Sequence, residues 1–323
     1  GATGKQRWAQ PTSAPVGTTV RVTGERVYTA SQSTVSAFER STGERAWNVT
    51  LNGSILTAPA VADERLYTTS FDRQAGISRI HAIDAVDGDA HWTQPINGTL
   101  GTVLTVTDDA VYTGGGGLTG VSGGVSAFDR QRGDRRWRLD LNQSVTVDPV
   151  VANGTVYVGS TAGQVYAIEA DSGDSRFRSR IDGRVSAPPV VSNDTLYVGS
   201  RGGLLYALDT VSGDRKWTFM TDGLVQTTPL ASDEGVFARA GPTLYGLDTA
   251  LTPNEADENT EHDDSQETPD TGTETTQTPQ STDSRPDTDT TPTDRATDEV
   301  TTTGEDGPGF GILAVGVSLV LVA

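Results

Sequence analysis

The chain of 323 residues has no cysteine, one methionine, three histidines and only two lysines, Lys5 and Lys216. Without cysteine there are no disulfide staples, no thiol nucleophile and no thiolate metal site, although the redox compartment stays open. Acidic side chains outnumber basic ones 43 to 24 and the net charge is −19. Nucleic acid is therefore excluded as a partner, because binding there depends on Lys and Arg neutralising phosphates. No group of His and carboxylate residues stands at ligand spacing, so no transition-metal site follows from the sequence.

The charge is unevenly placed. Residues 1–250 carry 26 acidic and 22 basic side chains, whereas 251–308 carry 17 acids against Arg285 and Arg295. That second stretch holds 17 Thr and 6 Pro in 58 residues, no aromatic side chain, and only Leu251, Ala256, Ala296 and Val300 as aliphatics. Such a segment buries too little apolar surface to offset chain entropy and is expected to be a disordered stalk over 251–307. The folded part is expected to be 1–250, followed by the stalk and by a short apolar segment over 308–323.

Self-similarity organises the folded part. The segment from Pro149 to Phe177 aligns without a gap on Pro189 to Trp217, and further copies fall into register on Tyr28, Tyr67, Tyr112, Tyr157, Tyr197 and Phe237. Each unit reads as short alternating segments bounded by Asn-Gly, Ala-Gly or Ser-Gly turns, the pattern of four strands rather than helices. One four-stranded sheet buries little alone, so neighbours must stack radially. The expected architecture is an all-β propeller of four-stranded blades with six repeat units. The sixth unit stops at Asp248 without its last strand and the chain opens on a surplus one, Gly4 to Trp8. That first strand is expected to complete the last blade, with more units upstream of Gly1 as the alternative.

Two columns within the repeat look chemical but have structural explanations. An acid ends the third strand at Glu39, Asp84, Asp129, Glu169, Asp209 and Asp248, each of the first five just before a turn containing Gly43, Gly88, Gly133, Gly173 or Gly213. A carboxylate there can accept backbone N–H bonds. Four residues after each glycine comes Trp47, Trp92, Trp137, Phe177 or Trp217, a ring expected to fill the space between sheets. His81 falls in the column of Tyr166, Tyr206 and Tyr245, so it reads as an altered repeat position rather than a ligand.

The motifs Pro-Val-Val, Val-Tyr-Val-Gly, Val-Tyr-Ala-Ile-Glu and Gly-Asp-x-x-Trp resemble the pyrroloquinoline quinone (PQQ) repeat of quinoprotein-type propellers, over nearly all of 1–250. The resemblance implies the fold and leaves two branches. One is the PQQ-dependent dehydrogenases, with eight blades, long insertions, a calcium-bound quinone and a catalytic Asp. The other contains compact binding propellers, such as the outer-membrane-assembly lipoprotein BamB, that hold no quinone. Short loops, six units and no cysteine place this chain with the second, so no cofactor is expected, and PQQ with Ca²⁺ belongs to the alternative reading of a dehydrogenase-like enzyme.

The far end resembles the PGF-CTERM sorting signal of archaeal surface proteins: a Thr- and Asp-rich stalk, then Pro308, Gly309 and Phe310, then the uncharged residues Gly311 to Ala323. The resemblance implies an extracellular, membrane-anchored protein, although thirteen apolar residues are fewer than the ~20 of a spanning helix. The acidic balance and scarce lysine are similar to haloarchaeal surface proteins; in molar salt the Debye length falls to about 3 Å, so a dense acidic tail repels itself little. Six glycosylation sequons begin at Asn48, Asn52, Asn97, Asn142, Asn153 and Asn193, several in expected turns.

Units two and three are each about five residues longer than the others, with the extra length expected between the second and third strands, at Ser70 to Arg79 and Gly114 to Gly124. The second of these is glycine-rich yet lacks the strand-to-helix setting and Lys-Ser/Thr of a phosphate loop. Those loops and the connections between blades share one rim, and enlarged loops on a rigid scaffold are where a partner is read. The candidate partner-binding residues are Phe71, Asp72, Arg73, Gln74, Leu118, Thr119 and Arg184. The expected function is a cell-surface, non-catalytic scaffold that binds a surface or envelope protein or a glycan.

Overall fold

A computed structural model describes residues 4–12, 20–97, 99–116, 123–232 and 235–248, all within the compact unit Gly1–Asp257. Leu118 and Thr119, the stalk, the Pro308-Gly309-Phe310 motif and the apolar segment after it lie outside the described residues. Among the described residues every regular element is a strand, and no helix is long and apolar enough to cross a membrane.

The strands form six antiparallel sheets, numbered I to VI along the chain, each a meander of consecutive strands. Sheet IV is representative: Val150–Ala152, Thr155–Gly159, Gln164–Glu169 and Ser175–Arg180 pair in that order. Five clusters of buried side chains lie between successive sheets, from I–II through V–VI. Sheet V shows how one strand serves two of them. Leu196, Val198, Tyr206 and Leu208 face sheet IV, while Tyr197, Leu205 and Ala207 face sheet VI. The fold is a multi-blade β-propeller.

Burial corrects the expectation of alternating strands. Second strands such as Thr155–Gly159 and Thr195–Gly199 are buried at every residue, because a blade inside the stack is covered on both faces. Alternation persists in outer strands such as Ser175–Arg180, at the solvent edge of the blade, and in Gly235–Ala240 of sheet VI, where Phe237 and Arg239 are exposed.

The contact between blades repeats with little change. Trp47, Trp92 and Trp137 each donate an Nε1–H to the carbonyl of Ala85, Arg130 or Ala170 in the next sheet, at 3.1, 3.1 and 2.8 Å. The same ring lies flat on the following turn: a Cβ added to Gly88, Gly133 or Gly173 would fall within 2.9 Å of it. These glycines also hold φ between +77 and +86, so both space and backbone demand glycine. Behind each ring stands the tyrosine of its own sheet, with centroids about 6 Å apart and planes tilted by 45° to 49°. A register shift between Ala37 and Phe38, repeated in sheets II to V, falls one residue from the alanine opposite the ring. In sheet IV, Phe177 has no N–H to give, and the carbonyl of Thr210 is met by the Tyr157 hydroxyl alone, at 3.2 Å.

Closure of the stack differs from expectation. Residues 4–12 form no strand, and among the described residues sheet VI has three strands, Leu230–Ser232, Gly235–Ala240 and Thr243–Leu247. Trp8 instead sits on sheet I as the other tryptophans sit on theirs, with Nε1 3.0 Å from the Arg40 carbonyl and the ring over Gly43. That seat needs only the turn of sheet I. Pairing with sheet VI would also require sheets VI and I to face each other, and the buried clusters end at sheet VI.

Gly133→Ala is expected to lower the unfolding free energy by about 2–4 kcal/mol, combining an unfavourable φ with a clash against Trp92. Gly24→Ala, at an open turn with no atom within 4 Å of the new Cβ, should change it by less than about 0.5 kcal/mol. Chemical denaturation followed by tryptophan fluorescence separates the two; equal effects would show that the ring-on-glycine contact carries no stability.

Candidate functional site

The column of acids is occupied by structural bonds. The Oδ1 of Asp129 accepts the amides of Gln131 and Arg132 at 3.1 and 2.9 Å, and Asp84 and Asp209 close their turns in the same way. The Arg132 amide above all holds the Asp129 carboxyl below its ordinary range, and the amides of Ser212 and Val211 do the same for Asp209. The glutamates behave differently. Glu39 pairs with Arg26 at 3.3 Å and Glu169 with Arg176, a cross-strand ion pair that Asp129 adds to its turn bonds with Arg136 at 3.0 Å.

The described candidate residues, Phe71 to Gln74 and Arg184, lie on the rim that carries the blade connections. The extra length in sheet II does not form a loop. It lengthens the second and third strands to Arg65–Asp72 and Ile77–Asp84, leaving only residues 73–76 as a turn. The connection from sheet I joins this extension as a short strand, Ser54–Ile55, pairing with Phe71 and Ser70. Gly53 makes the approach possible, since a Cβ there would lie 2.5 Å from the Phe71 backbone. Sheet III repeats the device with Thr99–Leu100 on Gly116 and Gly115. Unpaired backbone at the extended hairpin is thereby met by the connection, which turns an insertion into sheet.

Phe71 and Asp72 are strand residues, half-buried, whereas Arg73 and Gln74 are exposed at the tip. Asp72 caps the turn by accepting the amides of Gln74 and Ala75, each at 3.1 Å. Arg184 lies on the same rim, two sheets further on, with its guanidinium 2.9 Å from the Thr146 hydroxyl and its carbonyl taking the Arg201 amide. The structure therefore sets Phe71 to Gln74 together on one hairpin and Arg184 on a separate connection.

His81 lies under this rim. The Ser70 hydroxyl donates to the Asn52 carbonyl at 2.7 Å, so the His81 Nε2–H must donate to Ser70 Oγ at 2.9 Å, leaving Nδ1 to accept from Thr93 at 3.1 Å. With the serine proton already committed, Ser70 and His81 are not a nucleophile and base. They tie the connection at Asn52 to sheet II. Burial, with a smaller push from Arg79, lowers the His81 pKa to about 4.

Three charged residues escaped sequence reasoning. Arg130, 3% exposed, donates to the Tyr67 hydroxyl, the carbonyls of Thr107 and Asp108, and the Asp63 carboxylate at 2.7 Å, clamping sheet III to sheet II. It occupies the repeat position of Arg40, Ala85, Ala170 and Thr210, a column too mixed to single it out. Asp148 and Arg21 lie at first strands. Arg21 of sheet I donates to the Pro59 carbonyl of sheet II at 3.0 Å, and Asp148, preceding the first strand of sheet IV, accepts the Val103 amide of sheet III at 2.7 Å. Burial raises the Asp148 pKa against the opposing pull of that amide and of Arg21.

A calcium-bound quinone needs several convergent oxygen donors. Among the described residues no group of three or more His, Asp or Glu could hold a metal ion, and Asp148 has an amide and an arginine as its neighbours rather than further carboxylates. A cleft of 390 Å³ between sheets I and II is lined by Glu25, Arg26, Asp63 and Glu64, an acidic setting for an anionic quinone. The donor set does not fit that cofactor.

Radially stacked four-stranded sheets sealed by ring-on-glycine contacts define a quinoprotein-type β-propeller. More narrowly, the chain belongs to the family described as outer membrane protein assembly factor BamB, whose pattern matches residues 1–122 and 121–250. The BamB structure from Moraxella catarrhalis is similar at 18% identity and a TM-score of 0.62, over 75% of this chain and 74% of that one. The computationally designed Ika8 protein is similar at 14% identity and 0.59, over 71% and 70%. A europium-containing methanol dehydrogenase is similar at 17% identity and 0.57, over 68% of this chain but 54% of its own. At these identities the likeness is one of fold. Comparison with curated proteins gives no match.

The His81 environment predicts acid sensitivity. Below pH 6.5 the unfolded chain takes up a proton that the folded chain refuses until about pH 4. Stability from neutral His81 is thus complete above pH 6.5 and lost as pH falls through that window, by an amount on the order of 3 kcal/mol. His81→Gln should flatten this part of the stability–pH profile; an unchanged slope between pH 6.5 and 4 would exclude His81 as its source.

Proposed function

We propose that this protein is a cell-surface-anchored, non-catalytic scaffold that binds a protein or glycan partner on the rim formed by the 71–76 hairpin and the blade connections. The observation that carries the reading is the division of labour among side chains. The repeat's acids close their own turns or pair with arginine, and its rings seal one blade against the next, whereas Arg73 and Gln74 are held out at the tip of a hairpin braced by Ser54–Ile55. A rigid base under an exposed tip suits recognition. The family description, an assembly factor, agrees with binding rather than turnover. Extracellular placement and anchoring rest on the Thr- and Asp-rich stalk and the Pro308-Gly309-Phe310 motif of the sequence.

Two measurements test this. Titration of the full chain with PQQ in the presence of Ca²⁺, followed by tryptophan fluorescence, is expected to show no saturable quenching; a stoichiometric complex would instead make the protein a quinoprotein enzyme. The Arg73→Ala/Gln74→Ala variant should keep the melting temperature within about 2 °C, as for substitutions at an exposed turn, and lose the surface components that the unmodified chain retains from envelope extracts. Equal retention by both forms would move the partner site off this hairpin.

A further inference from the structure

The arginines of sheets III and IV divide into two groups. Arg136, Arg138 and Arg176 pair with the carboxylates of Asp129, Asp140 and Glu169. Arg178 and Arg184 are held instead by neutral groups. The Arg178 Nε–H donates to the Gln164 side-chain carbonyl at 2.7 Å, with the guanidinium 5.5 Å from the centre of the Tyr166 ring. Arg184 donates to the Thr146 hydroxyl at 2.9 Å. Arg180, next but one to Arg178 on the strand Ser175–Arg180, is exposed, and among the described residues it has no carboxylate partner.

The groups beneath these cations are buried and polar. Gln164, 5% exposed, donates its backbone amide to Ser160 Oγ at 3.1 Å, and Ser160, 0% exposed, donates to the Gln143 side chain at 2.7 Å. The Val185 amide, next to Arg184, donates to the carbonyl of the same serine at 3.2 Å. Both arginines are thus fixed around Ser160, at the end of sheet IV that meets the blade connections. The acids nearby are engaged, Asp140 with Arg138 at 2.6 Å and Asp182 with the Tyr206 hydroxyl at 3.3 Å. Stacking of blades does not call for this charge. The register places Thr218 and Leu224 of sheet V, and Asn48 and Ser54 of sheet I, at the positions of Arg178 and Arg184.

A guanidinium held by neutral partners keeps its charge uncompensated, and its planar fork takes a carboxylate bidentately. Arg178 and Arg180 share one face of their strand at a spacing of about 7 Å, the distance at which an extended polypeptide presents alternate side chains. Tyr166, the aromatic at hand, is 6% exposed and lies under Arg178, so its ring is closed to the face of a sugar. We propose that this rim of sheet IV docks an acidic polypeptide segment of the partner, with carboxylates at alternate residues on Arg178 and Arg180 and a further one on Arg184. The proposal rests on the scaffold reading and names the chemistry of the partner. Direct bonds of this kind persist when salt shortens the Debye length to about 3 Å at 1 M, whereas long-range attraction does not.

A labelled synthetic peptide of alternating Glu and Ser, titrated with the full chain and followed by fluorescence anisotropy, is expected to bind saturably. Arg178→Gln/Arg184→Gln should raise its dissociation constant roughly tenfold or more and leave the circular dichroism spectrum unchanged, since neither side chain holds a carboxylate of the fold. Arg45→Gln/Arg135→Gln removes the same charge at exposed positions near the other end of the blades and should leave binding as it was. Equal weakening in both variants would reduce the effect to net charge and overturn the proposal. So would a peptide that does not bind, or one that is outcompeted by the uronate glycan polygalacturonate. In the retention of envelope components, equal capture by the unmodified chain and Arg178→Gln/Arg184→Gln would overturn this docking site and leave the scaffold reading standing. No capture by the unmodified chain would instead overturn the scaffold reading itself.

Discussion

The contact of an aromatic ring with the glycine turn of the next blade is the constraint on which the rest of the structure depends. An isolated four-stranded sheet has two faces to cover and too little surface to do so within itself. The ring solves part of this by reaching past its own sheet, laying its face on Gly88, Gly133 or Gly173 and placing its N–H on a neighbouring carbonyl. The rest of the repeat serves that contact. The register shift, the alanine opposite the ring, the tyrosine behind it and the aspartate that closes the turn all set where ring and glycine meet.

Because this contact joins each of sheets I to IV to the one after it, the stack has direction, and the two ends among the described residues are unlike. One presents Trp8 seated on sheet I without a sheet behind it. The other presents the bare face of Leu230, Phe237 and Leu244. The rim connections also enter the stack, since Ile55, Leu100, Val145 and Val185 are buried in the clusters between sheets. Sheet II gains a longer hairpin by recruiting Ser54–Ile55 as an extra strand, and the blade-to-blade cluster beneath it is unaltered in kind. Variation at the rim over constancy between blades is the arrangement expected of a scaffold.

Much of the fold was legible because the repeat states the same local problem six times, and agreement among copies separates rule from accident. The acid column was read as structural for a reason that Asp84, Asp129 and Asp209 show directly. What resisted reading were the residues that break the repeat. Arg130 stands in a column shared with Arg40, Ala85, Ala170 and Thr210, and nothing in the local sequence says that its guanidinium meets Tyr67 and Asp63, more than sixty residues earlier. Asp148 and Arg21 are equally opaque, since their neighbours come from different sheets. Extra residues in unit two suggested a loop, whereas the connection from sheet I gave their backbone partners to pair with.

By itself the sequence determined what depends on spacing and composition along the chain: four strands per unit, a glycine turn at fixed distance from a ring, a Thr- and Asp-rich stretch after residue 250 without an aromatic side chain before Phe310, and the lack of thiols. Only the tertiary structure decided what depends on which sheets meet. It buried second strands such as Thr155–Gly159 on both faces, gave sheet VI three strands among the described residues, and seated Trp8 on sheet I. The reason is physical. Turn and strand geometry follow from a few neighbouring residues, while burial, ion pairing and edge completion are set by surfaces brought together from distant parts of the chain, and periodicity carries no record of them.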